Sequence, residues 1–564
     1  MAADVVRVSE WKLTLQDFGR LVVQNNETLQ AKMLEVEIAQ HRYRGAYGMF
    51  EPEMFTTAQH EENNRRNTAE QASSQTPLSI LQNDKDVFRE KNNIYTGGIE
   101  SLLPTGTRLQ LGYSLRQLEN NLQIARALQQ NLSLSNLVSP EYQSFVGITL
   151  TQPLAKNFGP AYTLAEIRVQ AINSDIAFQE YRRQLMTLLT TAEAAYWNLF
   201  LSQEQERSIR ESVSVAETVL QDAKTRRDAG KGADLDVLEA QSAFALRRAK
   251  LSEAQQHLRE SANQVLSMIG NSAATTNGIV RTVDRPEVLT NSATFFEAWR
   301  SAFDLNPDYL AARYRCKLEG VRIAYANNQL LPQVDFKASY GLNGLGDSPG
   351  TSFADVERQG FPSWSVGMEL RFPLGGGIKA RNERDAARLG QQKSLLELKS
   401  LETQIANATH TALYKIEGRR DSIPESQSVV TYAQNLLQTE LARFEVGKVE
   451  SRKVLETEAA LFEARIMLAE NLVQYRRAWL EKELVEGSVL KNRGLDMTQE
   501  ELTSRTRTLL RGGGYVGGTL ESNAPRVTEV LGEEPGFKTP STPPQTDDSN
   551  LRRALRESLK ETKP

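Results

Sequence analysis

Leu185-Met-Thr-Leu-Leu-Thr-Thr-Ala-Glu-Ala-Ala-Tyr-Trp-Asn-Leu199 is the stretch on which the fold turns. Leu185, Leu188, Ala192, Tyr196 and Leu199 recur at steps of three and four, the period of one buried helical face. The stretch sits inside a run without proline, from Ala161 to Arg285. Proline costs about 3 kcal/mol in a helix interior, so such a run permits a very long helix. A second run, Leu374 to Ala524, is interrupted only by Pro424 and carries a similar stripe: Leu395, Leu398, Ile405, Thr409, Ala412, Ile416. Alanine within both stripes allows close, coiled-coil-like approach, and the stripes read as core rather than as a cofactor site.

Between these runs the period changes from 3.6 to two. Leu109, Leu111, Tyr113 and Leu115 alternate with polar or small residues, as do Val146, Ile148 and Leu150. Val334, Phe336, Ala338 and Tyr340 repeat the pattern, and so do Trp364, Val366, Met368, Leu370 and Phe372. These are strands of about nine or ten residues with one apolar and one polar face. Both a half-buried soluble sheet and a transmembrane β-barrel wall carry that signal.

The order of segments recurs. Asn26-Glu-Thr-Leu leads to Pro52, and Asn306-Pro-Asp-Tyr leads to Pro332, an offset of 280 in both places. Gln152-Pro153-Leu154 and Phe372-Pro373-Leu374 each close a strand. Asp228-Ala-Gly230-Lys231 and Glu445-Val-Gly447-Lys448 each precede a new amphipathic segment. Two copies of one unit follow, helix, strands, very long helix, glycine turn and helix, at 10–285 and 286–490. A C-terminal extension, 491–564, holds six of the nineteen prolines between Pro525 and Pro564; from about Leu520 its composition reads as disordered, with a short helix over Leu551–Lys560.

Composition narrows the function. Lys plus Arg is 67 and Asp plus Glu is 71, a net charge of −4 that speaks against a nucleic-acid binder. No run of eighteen apolar residues offers a transmembrane helix. The single cysteine, Cys316, leaves no intramolecular disulfide or cysteine-rich metal site. The four histidines lack a metal-binding spacing, and His60-Glu61-Glu62 falls in a strand or loop without a second histidine ligand. Gly512, Gly514 and Gly517 satisfy G-x-G-x-x-G, but no strand precedes them and no dinucleotide unit surrounds them. No catalytic constellation, metal site or cofactor site is expected, and the chain does not read as an enzyme.

The ordered set of motifs resembles the TolC-like outer-membrane efflux proteins, the outer membrane factors. It comprises Leu13-Thr-Leu-Gln-Asp-Phe, Asn25-Asn-Glu-Thr-Leu, Leu150-Thr-Gln-Pro-Leu154 and Leu370-Arg-Phe-Pro-Leu374. It also includes Arg227-Asp-Ala-Gly-Lys-Gly232 and Arg443-Phe-Glu-Val-Gly447-Lys, and spans about residues 10 to 490. The resemblance implies an α+β membrane protein: a homotrimer whose protomers share one transmembrane β-barrel, continued by a long periplasmic α-helical barrel. Ala161–Asp228 and Ile378–Glu445 would be the long helices, the former 68 residues or about 100 Å, with Leu235–Ile269 and Arg452–Glu486 as shorter returns. Pro52, Pro153, Pro332 and Pro373 would mark strand-to-helix junctions. Ile94–Leu102, Pro104-Thr-Gly106 and Thr107–Arg116 form an insertion that adds a hairpin, raising the family's four strands per protomer to a possible six.

By the same resemblance the chain is a passive exit duct of a tripartite efflux pump or a type I secretion system. Its partners would be outer-membrane lipid, a periplasmic adaptor and an inner-membrane pump, with no nucleic acid. Adaptor docking falls on Gly230, Lys231, Gly232 and Asp234 and on Val446, Gly447, Lys448 and Ser451. The periplasmic gate falls on Glu417, Arg419, Arg420, Asp421 and Glu425, about 33 to 45 Å along the helix from Gly447, with Pro424 as a pivot. The opening Met1-Ala-Ala-Asp-Val-Val-Arg lacks a signal peptide, which is expected to reflect trimming or processing. An intracellular or periplasmic coiled-coil scaffold is the competing reading; alternating strands with aromatic ends give a scaffold no advantage.

Overall fold

The long proline-free runs are helices, and the alternating segments between them are strands of one sheet. A computed structural model describes residues 10–69, 87–120, 140–269, 279–289 and 294–512. The order is β1 (Glu10–Leu13), α1 (Leu15–Asn25), α2 (Glu27–Gly45), β2 (Glu53–Arg66), β3 (Val87–Leu102), β4 (Arg108–Asn120) and β5 (Glu141–Pro153). Then come α3 (Ala165–Asp228), α4 (Asp234–Ile269), β6 (Ile279–Thr282), α5 (Phe295–Leu305), α6 (Pro307–Gln329) and β7 (Gln333–Gly346). The rest is α7 (Pro349–Glu357), β8 (Pro362–Arg371), α8 (Ile378–Glu445), α9 (Ser451–Glu486) and α10 (Gln499–Gly512).

Local chemistry sets the boundaries. Thr14 caps α1 by accepting from the Asp17 amide, and Thr294 caps α5 in a capping box with Glu297. Asn26 and Asn306 cap α2 and α6 with nearly the same backbone, φ −74° and −69°. Asn306 places Pro307 at the first helical position, where the missing amide costs nothing. The long helix expected from Ala161 starts at Ala165 instead, because a separate turn, Pro160–Thr163, ends at Leu164 in a non-helical conformation. Pro424 lies inside α8, and the helix continues through it.

The six-stranded sheet is antiparallel throughout, in the order β2-β3-β4-β5-β7-β8. The four strands read from alternation are present as β4, β5, β7 and β8; the expected insertion forms the β3–β4 hairpin, and with β2, which alternation did not signal, one chain carries six. β2, β3, β4, β5 and β7 span 13 to 16 residues rather than nine or ten. The ends away from the helices are held by polar ladders: His60 Nδ1 lies 2.7 Å from Asn93 Oδ1, and Asn93 donates to Gln117 Oε1 at 3.1 Å. Apolar alternation stops where those ladders begin. β1 and β6 form a separate parallel pair.

Alanine and large apolar residues alternate along the helical core. Leu185, Ala192, Tyr196 and Leu199 are buried as expected, with Leu188 packed at the cluster's margin. In α8 the stripe is buried from Ile405 through Thr409, Ala412 and Ile416, whereas Leu395 is exposed and Ser394 is buried in its stead. Tyr196 Oη donates to the Leu13 carbonyl and to Asp284, both at 2.9 Å, tying β1 and the segment after β6 to α3. Beneath the sheet, α2, α3, α6 and α8 lie side by side, α3 touching α2 and α6, and α6 touching α8. Toward the far end α3 packs on α4, α8 on α9, and α9 on α3. α10 folds back on α2, burying Leu502 and donating from Thr503 to Gln40 at 3.0 Å. Gly512 ends α10; Gly514, Gly517 and Leu551–Lys560 lie outside the described residues.

Candidate functional site: a two-faced sheet, two helical tips and a charged helix segment

Register decides what each face of the sheet presents, because side chains alternate strictly along a strand. Met54 pairs with Ile99, Ile99 with Leu111, Leu111 with Ile148, Ile148 with Tyr340 and Tyr340 with Trp364. One apolar band thus crosses all six strands, and its members are exposed: Met54 at 84%, Trp364 at 74%. The other face pairs Glu100 with Gln110, Gln110 with Thr149, Thr149 with Ser339 and Ser339 with Ser365. Lys337 and Glu369 form an ion pair on it. An exposed apolar belt backed by a polar face is the pattern of a sheet between lipid and water.

A second register feature crosses the polar face. Gly98, Gly112, Gly147 and Gly341 pair directly across β3, β4, β5 and β7. A Cβ on Gly341 would lie 2.3 Å, and one on Gly147 2.5 Å, from the ring of Phe145, which covers both glycines. At Gly98 a Cβ would meet the Leu111 carbonyl at 2.5 Å. Only glycine permits this approach, and such rows let a sheet curve. At the far end of the apolar face α7 packs on β5 and β7, with buried Ser352 donating to Ser144 at 2.7 Å. Neither the glycine row nor α7 was evident from the sequence, because register across distant strands creates them.

Pro52 and Pro332 immediately precede β2 and β7, Pro153 ends β5, and Pro373 follows β8 by two residues. All four stand at the end of the sheet joined to the helices. At the opposite end of the helices, Gly230 (φ +71°) and Gly447 (φ +73°) turn the chain between α3 and α4 and between α8 and α9. Both turns use the same bonds: Lys231 N to Arg226 O at 2.8 Å, and Lys448 N to Arg443 O at 2.9 Å. The Arg226 guanidinium lies 4.1 Å over the Phe444 ring and donates to the Phe444 carbonyl, so the two tips hold each other. Between them is a cleft of about 370 Å³ lined by Arg226, Lys231, Gly232, Asp236, Phe444, Lys448 and Ser451. Asp234 opens α4 and Val446 is exposed.

The charged segment of α8 is a solvent-facing strip of the protomer. Glu417, Arg419, Asp421 and Glu425 are exposed, and Arg420 is half-buried. Arg420 pairs with its neighbour Asp421 at 3.2 Å. Arg419 instead reaches α9, donating to Asn471 at 3.2 Å, and Asn471 donates to Ser426 at 2.7 Å. Arg247 of α4 donates to Glu458 of α9 at 2.6 Å and to Ser212 of α3 at 3.0 Å, a buried link that no local motif announces. His60 stands in β2, and Glu62 pairs with Lys91 at 2.9 Å. Among the described residues, no group of three or more His, Cys, Asp or Glu is placed to hold a metal ion. No helix among them is long and apolar enough to cross a membrane.

Comparison with known proteins agrees with this geometry. The outer membrane efflux protein family matches residues 110–271 and 299–482. The chain is 22% identical to the outer membrane efflux protein BepC of Brucella suis, over 60% of this chain and 72% of that protein. It is 26% identical to the pyoverdine export outer membrane protein OpmQ of Pseudomonas aeruginosa, over 50% of this chain and 57% of that protein. The fold is similar to that of the Campylobacter jejuni outer membrane channel CmeC, with a TM-score of 0.59 and 11% identity, covering 87% of this chain and 89% of that one. A match over both halves, on a fold with a two-faced sheet and paired long helices, places the chain in the outer membrane efflux protein family.

Proposed function

We propose that three copies of this chain form a passive exit duct through the outer membrane of a Gram-negative-type bacterium, serving a tripartite efflux pump or a type I secretion system. The observation that carries this reading is the continuity of a lipid-suited sheet with α3 and α8, 64 and 68 residues long. At the usual rise each helix reaches about 100 Å, enough to carry a channel far into the periplasm. Among the described residues the sheet has two open edges, which cannot persist in lipid, so closure requires further copies. The duct needs no cofactor: an inner-membrane pump supplies the energy, and a periplasmic adaptor meets the tips. Gly230, Lys231, Gly232 and Asp234, with Val446, Gly447, Lys448 and Ser451, form the docking surface. Glu417, Arg419, Arg420, Asp421 and Glu425 form rings around the threefold axis that govern passage, with Pro424 as the pivot of opening.

The tips give the direct test. Gly230 and Gly447 have positive φ, and no neighbouring atom lies within 4 Å of where a Cβ would stand, so bulky residues there strain the turn without invading a core. Gly230→Trp with Gly447→Trp should abolish transport and copurification of the adaptor while leaving the three-copy assembly in the membrane. Unchanged transport and copurification would reject docking at these turns.

A further inference from the structure

We infer that one copy supplies a third of an eighteen-stranded barrel, closed by β8 of each copy adding to β2 of the next, and therefore wider than a barrel built from four strands per copy. The inference rests on the three-copy reading above. It follows from the six-stranded order of the sheet, since three sixes make eighteen.

Three observations place the inserted strands in the barrel wall. Among the described residues, β2 and β8 are the sheet's two open edges. Successive strands are antiparallel, so β2 and β8 run in opposite directions, and rotation about an axis brings β8 antiparallel to the next β2. The apolar band also reaches both edges on the same face, at Met54 on β2 and at Trp364, Val366 and Met368 on β8.

The third observation is the glycine row. Gly98 on β3 and Gly112 on β4 belong to the same directly paired row as Gly147 on β5 and Gly341 on β7. A hairpin whose glycines continue the row of β5 and β7 is built into the same sheet as those strands. Strands in barrels of this kind lie about 4.8 Å apart and tilt by about 40°. The same spacing and tilt give backbone radii of about 18 Å for eighteen strands and about 12 Å for twelve.

The test is crosslinking in membranes, on a Cys316→Ser background. One cysteine is placed in β8 (Trp364→Cys, Val366→Cys or Met368→Cys) and one in β2 (Met54→Cys, Thr56→Cys or Ala58→Cys). Tyr340→Cys with Trp364→Cys, a directly paired position within one chain, is the control for disulfide formation. Oxidation should give covalent dimers and trimers for at least one β8–β2 combination. Native mass spectrometry in mild detergent separates the ways of failing. If the three-copy mass persists while Met54→Cys joins Ile148→Cys on β5 within one chain, the β3–β4 hairpin lies outside the wall and the inference is overturned. It is overturned equally if the three-copy mass persists and the control closes without any β8–β2 product. Absence of a three-copy species overturns the underlying assembly as well.

Discussion

Asp175 on α3 shows what a single residue contributes to the helical layer. Burial pushes its carboxyl up to about 6, against partial relief from Lys317 on α6. The folded chain therefore binds a proton more readily than the unfolded one between about pH 4 and pH 6. Stability from this group is fully present at low pH and lost as pH rises through about 6. Asp175→Asn should stabilise the fold at pH 7.5 by about 1–2 kcal/mol after solvent screening, read as a higher melting temperature in detergent. The gain should vanish by pH 4; a gain equal at both pH values would refute the buried-charge account. Arg247 and Glu458 make the complementary case, with side chains 11% and 6% exposed. Arg247→Ala strands a buried carboxylate and should cost about 3–5 kcal/mol, whereas Arg247→Met with Glu458→Leu should restore most of the loss. Thermal melts of the single and double variants compare the two. Residues 211 positions apart cannot be paired by eye, so this link was not legible, while Gly230 and Gly447 announced their positive φ through the helices they separate.

At the scale of elements, helices were far more legible than strands, and the reason is physical. A proline-free run bounded by a glycine turn leaves little freedom in where a helix stops: α4 and α9 begin one residue before the expected Leu235 and Arg452. Strand ends depend instead on partners. β2 continues from Ala58 to Arg66 with no apolar alternation because β3 lies beside it and side-chain ladders hold it. α8 illustrates what element-level reading leaves to assembly. Glu417, Asp421 and Glu425 recur at a spacing of four, so they share one exposed face of the helix. In a threefold duct each becomes a ring of three, and a ring of carboxylates concentrates cations. Asp421→Ala with Glu425→Ala should lower cation selectivity in planar bilayers and weaken block by trivalent cations, without loss of protein from the membrane. Wild-type selectivity and block in that variant would move the gate elsewhere on the helix.

For the whole molecule, the decisive property is which face of the sheet meets lipid. Two adjacent residues of β5 answer it with opposite outcomes. Ile148 lies between Leu111 and Tyr340 in the apolar band, and Thr149 between Gln110 and Ser339 on the polar face. The alternation made this contrast legible in the sequence, but only the register shows that each face is continuous across six strands. Arginine near the middle of a lipid-facing band costs about 2–4 kcal/mol per chain, and every copy in the proposed assembly incurs it. Ile148→Arg should therefore deplete the protein from outer-membrane fractions or leave it misassembled. Thr149→Arg meets water instead, so that variant should insert at wild-type levels and shift ion selectivity toward anions. Equal insertion of both variants, or failure of Thr149→Arg alone, would reverse the assignment of faces and with it the duct.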